Sequence, residues 1–93
     1  MTVETIQRFV ADYYNVRVSE LKARNNSRVV SFPRQVAMYL AKKMTNCSFP
    51  DIGKRFGGKH HSTVIHSVNK ISGEASKSQE FHDLLARFQE QIQ

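Results

Sequence analysis

The sequence has one cysteine, Cys47, in 93 residues. That excludes an intramolecular disulfide and fits a reducing compartment. Long apolar runs are absent too. The longest, Val36-Ala37-Met38-Tyr39-Leu40-Ala41, stops at two lysines, far short of the roughly 18 to 20 residues that cross a membrane. The opening residues include Thr2, Glu4, Thr5, Gln7 and Arg8, so no apolar core of a signal peptide is present. Internal repeats, low-complexity segments and strand-like alternation are all missing. A chain this short is expected to form one domain, 1–93, with no room for a catalytic domain with its own nucleotide site. Hydrophobic residues at 40% and charged residues at 24% are ordinary globular usage, which argues against wholesale disorder.

Acidic residues are scarce where they matter most. Between Lys22 and Lys70 there are ten basic residues and one acid, Asp51, a local charge of +9 within a chain of +6. The flanks are mildly acidic. A basic middle between such flanks is the footprint of a polyanion binder.

What the sequence does have is helical periodicity. Thr2 can cap a first helix with Ile6, Phe9, Val10 and Tyr13 on one face, and Asn15 is a stop. Ser19 can cap a short second helix around Glu20-Leu21-Lys22, and Lys22 to Ser31 reads as a polar, cationic loop. Pro33 suits the first turn of a third helix, whose buried face is Val36, Leu40 and Met44. Ser48 and Asp51 resemble a capping box ahead of Ile52 and Phe56. Gly57-Gly58 breaks that helix, a fifth starts near His60 to Ser62, and Ser72-Gly73 ends it. A last helix from about Ser78 carries Phe81, Leu84, Leu85, Phe88 and Ile92. The sequence therefore predicts an all-α bundle of about six helices.

Residues 48–71 have the layout of a helix-turn-helix: a short capped helix, a tight Gly-Gly turn, then a helix with a polar first turn. Such a unit sets its second helix in the major groove with the N-terminal residues at the base edges. His61, Ser62 and Thr63 suit that role, because hydroxyls can bond to bases or phosphates and the Thr methyl or imidazole carbon atoms can meet a thymine methyl. Two competing motifs fail. Gly53 to His60 nearly spells a phosphate-binding loop, but His60 cannot supply the hydroxyl that ligates magnesium, and no strand precedes it. Cys47, His60, His61 and His66 lack the spacing of a zinc set. No nucleophile has a base beside it, so no enzymatic activity is expected. Phe9, Tyr13, Tyr14, Phe81 and Phe88 lie on helical stripes outside the basic stretch and read as packing residues, not base-stacking platforms.

The stretch Ile52-Gly53-Lys54-Arg55-Phe56-Gly57-Gly58-Lys59-His60-His61-Ser62-Thr63-Val64-Ile65-His66-Ser67-Val68-Asn69-Lys70-Ile71 closely resembles the signature of the C-terminal DNA-binding domain of the bacterial replication initiator DnaA family. Ser27-Arg28, Phe32-Pro33-Arg34-Gln35-Val36-Ala37-Met38, Leu40-Ala41-Lys42 and Thr45-Asn46 through Gly53 resemble it as well. The resemblance implies a Trp-repressor-like helical fold that reads short asymmetric boxes in double-stranded origin DNA and acts as a monomer. It implies phosphate contacts from Arg34, Gln35 and Lys42, and places Phe49 and Pro50 beside the DNA. It puts Lys59, His61, Ser62 and Thr63 in the major groove, with His66 further along. The family's ATP site lies in another domain, so no cofactor is expected here. The family location is the bacterial cytoplasm, at the nucleoid. The near-complete match and the missing nucleotide site favour a fragment of a longer initiator.

Two positions depart from the family pattern. His60 stands where the family usually has an acidic residue able to accept from cytosine N4. Asn26 stands where it commonly inserts an arginine into the minor groove, a charge that Arg24 or Arg28 can supply instead. Other readings of the basic face stay open. They are a docking site for an acidic regulatory protein, a sequence-indifferent nucleic-acid binder, and weak binding to acidic phospholipid.

Overall fold

The computed structural model describes residues 1–93. Six helices follow one another: α1 (Val3–Tyr14), α2 (Val18–Lys22), α3 (Arg28–Met44), α4 (Phe49–Arg55), α5 (His61–Lys77) and α6 (Gln79–Ile92). Local chemistry sets most boundaries. The hydroxyl oxygens of Thr2, Ser48 and Ser78 accept the first free N–H groups of α1, α4 and α6, from Thr5, Asp51 and Phe81. Asn15 ends α1 in the left-handed conformation, at φ 57°.

Three boundaries differ from the sequence expectation, the first through a local capping bond and the other two because packing outweighs the local signal. First, α2 begins one residue before Ser19, with Arg17 at its N-cap. The backbone N–H of Arg17 donates to Glu20 Oε1 at 2.8 Å, while Ser19 is exposed within the helix. Second, α3 begins at Arg28, so Pro33 is its sixth residue and the loop shrinks to 23–27. Burial of Val30 holds the added turn. Pro33 removes only the N–H that would reach the carbonyl of Val29, at the exposed end. Third, α5 runs through Gly73 to Lys77 because Ile71 and Ala75, four apart, continue its buried stripe. The break comes at Ser78, which ends α5 and caps α6.

The core is one cluster. Its largest members are Phe56, Phe88, Ile6, Leu21, Met38 and Leu40. α3 runs through the middle and packs chiefly on α5 and α1, while α4 rests on α5 and α6 closes the far side. The aromatic residues do pack: Phe9 and Tyr13 meet Phe88 edge-on at 5.3 and 4.6 Å, and Tyr14 meets Phe32 at 5.9 Å. Gln7, fully buried in α1, donates from Nε2 to the carbonyl of Arg55 at 2.9 Å and so ties α1 to the end of α4. No helix is long and apolar enough to cross a membrane.

The cap at Ser78 is testable. Ser78→Ala removes the acceptor for the Phe81 N–H and is expected to cost about 1 kcal/mol in urea unfolding, whereas Ser78→Asp restores most of it.

Candidate nucleic-acid interface

The turn between α4 and α5 is built on glycine. Gly57 and Gly58 have φ of 82° and 77°, a region that disfavours other side chains. Gly53 and Gly57 also allow close approach. A Cβ on Gly53 would lie 2.1 Å from the carbonyl oxygen of Lys59, and one on Gly57 would lie 2.0 Å from that of Lys22. The α4–α5 turn is therefore pressed directly against the end of α2. Val64 and Ser67, both buried, seat α5 on the core and leave His61, Ser62, Thr63 and His66 exposed.

Two cations hold the loop 23–27 in place. Arg34, only 4% exposed, donates from Nε to the carbonyl of Leu21 at 2.8 Å and from Nη1 to that of Asn25 at 2.9 Å. Its Nη2 donates to the carbonyls of Glu20 and Ala23 at 2.7 and 3.1 Å. Lys59 Nζ donates to the carbonyls of Lys22, Ala23 and Phe56 at 3.1, 2.8 and 2.8 Å. Burial lowers the pKa of both groups, and for Lys59 the nearby Arg34 and Arg24 lower it further.

These bonds place two of the expected DNA contacts inside the protein. Arg34 does not stand free on the surface. Four of its five N–H groups are spent on carbonyls, so it acts as an internal clasp. Lys59 is turned inward as well, with all three of its N–H groups engaged inside the protein.

The other expected site residues divide by position. Arg24, Asn26, Gly57, Gly58, Lys59, His60 and Thr63 line one cleft of about 360 Å³ with no apolar side chain. It brings the loop and the start of α5 together. Arg28 faces elsewhere, onto a separate cavity with Tyr14, Val29, Phe32 and Pro33, its guanidinium 5.8 Å from the Phe32 ring. Lys42 is exposed, with Nζ 4.5 Å above the Phe49 ring, and Pro50 is exposed beside it. Gln35 is half-buried, and its Oε1 is enclosed without a partner. The His60 and His61 rings stack at 4.2 Å, and no group of three or more histidines, cysteines or acids could hold a metal ion.

Sequence reasoning missed Gly53 and Gly57 as packing residues and the α2 carbonyls as anchor points. The Gly57-Gly58 pair was visible, but only as a turn. Its partner is 35 residues upstream in the chain and left no local trace.

Residues 3–71 match the family model described as the bacterial dnaA protein helix-turn-helix. Over 71 residues the chain is 52% identical to the chromosomal replication initiator protein DnaA of Geobacter metallireducens, covering 76% of this chain and 16% of that protein. The chain thus spans about a sixth of that relative's length. A crystal structure of a DNA replication initiation factor superposes on 97% of this chain and 27% of its own, with TM-score 0.87 and 31% identity. The six-helix protein with its α4–turn–α5 unit therefore belongs to the bacterial DnaA helix-turn-helix family.

Proposed function

We propose that this chain binds double-stranded DNA at short asymmetric boxes of the replication-origin type, as the DNA-reading part of an initiator. The observation that carries this reading is the cleft where Arg24 and Asn26 of the loop meet His60 and Thr63 of α5. Its two walls come from the elements that would straddle a phosphate ridge, one toward each groove. The start of α5, with His61, Ser62 and Thr63, enters the major groove. Loop 23–27 approaches the neighbouring minor groove, with Arg24 supplying the charge that Asn26 lacks. Lys42, over Phe49 and next to Pro50, meets a backbone phosphate and helps fix the register.

The domain works as a monomer on DNA, without cofactor or catalysis of its own, in the bacterial cytoplasm. ATP binding belongs to a separate part of a longer initiator. Regulatory proteins would compete for the same face, and acidic phospholipid would bind it weakly.

Fluorescence anisotropy with a box duplex and its scrambled counterpart, at two salt concentrations, tests this. A preference for the box that survives added salt is expected; equal affinities that collapse together would defeat the proposal. Thr63→Ala should cost about 1–3 kcal/mol at one base position and little elsewhere. Lys42→Gln should weaken all sequences alike and flatten the salt slope by about one ion.

A further inference from the structure

The cap of α5 fixes which proton His60 carries. His60 Nδ1 accepts the backbone N–H of Ser62 at 3.1 Å. A backbone N–H only donates, so Nδ1 is unprotonated, and a neutral imidazole then has its proton on Nε2. The imidazolium would have no lone pair for this bond. The same Nδ1 lies 2.8 Å from Ser62 Oγ, a pair that either atom could donate. The cap decides its direction: the hydroxyl hydrogen points at Nδ1.

Two consequences follow for the exposed face. The Nε2–H of His60 is left without a partner in the protein, on an exposed side chain that lines the cleft with Arg24, Asn26 and Thr63. Ser62, its hydroxyl proton already used, turns only lone pairs outward. The polarity of this corner of the interface is therefore set before any DNA arrives.

We propose that His60 is a specificity-determining residue that selects guanine. On the major-groove edge guanine offers two adjacent acceptors, N7 and O6, and Nε2–H can use either. Cytosine presents its N4 amino group there, which meets the imidazole donor to donor. Adenine and thymine each offer one acceptor, so they fall between. This inference rests on the DNA-binding reading above.

Two measurements test it. The first is long-range proton–nitrogen NMR of the His60 ring in the free protein, at a pH where the ring is neutral. It needs no DNA, and a ring protonated on Nδ1 would overturn the inference even if box binding holds. The second is anisotropy on a set of duplexes in which each box position carries each base in turn. The wild type is expected to favour guanine over cytosine about tenfold at one position. His60→Asp keeps an N-cap acceptor for Ser62 and makes the outward face acceptor-only, so that position should switch to cytosine while the others hold. A wild-type preference for cytosine there, or an unchanged pattern in His60→Asp, overturns the role of His60. Loss of preference between box and scrambled duplex in the wild type would instead bring down the DNA-binding reading, and this inference with it.

Discussion

Arg34→Met is expected to destabilise the protein by about 3–5 kcal/mol, enough to leave a domain of this size largely unfolded or close to it. The side chain is nearly covered, and its four hydrogen bonds run to carbonyls of Glu20, Leu21, Ala23 and Asn25. No carboxylate pairs with it; the Arg or Lys ion pair in the protein is Arg55 with Glu4. The carbonyls at the end of α2 and the start of the loop are what compensate the buried charge. That end of a helix carries partial negative charge, so the arrangement is favourable in sign as well as geometry. Removing the guanidinium strands the carbonyls of Leu21 and Asn25, while those of Ala23 and Glu20 keep the Lys59 ammonium and the Ala23 N–H; each stranded group that water cannot reach costs about 1–3 kcal/mol. The total stays below a simple sum, because the exposed loop can relax toward solvent.

Arg34→Lys separates charge from geometry. One ammonium has three donors and no planar fork, so it cannot reach four carbonyls spread over six residues. It should recover only part of the loss. Urea unfolding measures both variants. A phosphate-binding Arg34 would behave in the opposite way: the unfolding midpoint would hold and the salt slope of DNA binding would fall.

The residues that carry fold and site were legible to different degrees. Helix types and caps came from local signals, and Thr2, Asn15, Ser48 and Ser78 all act where the sequence places them. The apolar stripes of α1, α3 and α6 were equally plain, since a period of about 3.6 is a property of neighbours in the chain. The misplaced boundaries of α3 and α5 share one cause. At Val30 and at Ala75, buried contacts with other helices extend a helix past a proline or a glycine that would otherwise read as punctuation. The helix-turn-helix was visible in its spacing, and so were the exposed polar residues of its second helix. The roles of Arg34 and Lys59 were not. A basic residue in a basic stretch looks like a ligand for an external anion. Only the fold reveals that the partners are carbonyls 9 to 14 residues away for Arg34 and up to 37 away for Lys59. His60 shows the converse: its departure from the family pattern was plain in sequence, but its tautomer needed the cap.

Gly57→Ala should be the second large effect, and Gly58→Ala is its internal control. Both glycines sit at positive φ, so either substitution costs about 1–2 kcal/mol of backbone strain. They differ in surroundings. A Cβ on Gly58 meets nothing within 4 Å, whereas one on Gly57 would sit 2.0 Å from the carbonyl oxygen of Lys22 and 3.3 Å from its Cα. That neighbour is backbone, fixed by the Lys59 ammonium on the same carbonyl, so it cannot swing aside as a side chain would. The α4–α5 turn and the end of α2 must separate. Gly57→Ala is therefore expected to lose about 2–4 kcal/mol, against about 1–2 for Gly58→Ala, in thermal or urea unfolding. The separation should also reach function, because the cleft between loop and α5 is what sets one wall against the other. Under conditions where both variants stay folded, Gly58→Ala should keep the preference for a box over its scrambled duplex. Gly57→Ala should lose most of it while retaining salt-sensitive binding, since its charges are untouched. Equal stability of the two variants would mean that the Gly57 contact yields without cost. Equal box preference would mean that the spacing of loop and helix does not govern recognition.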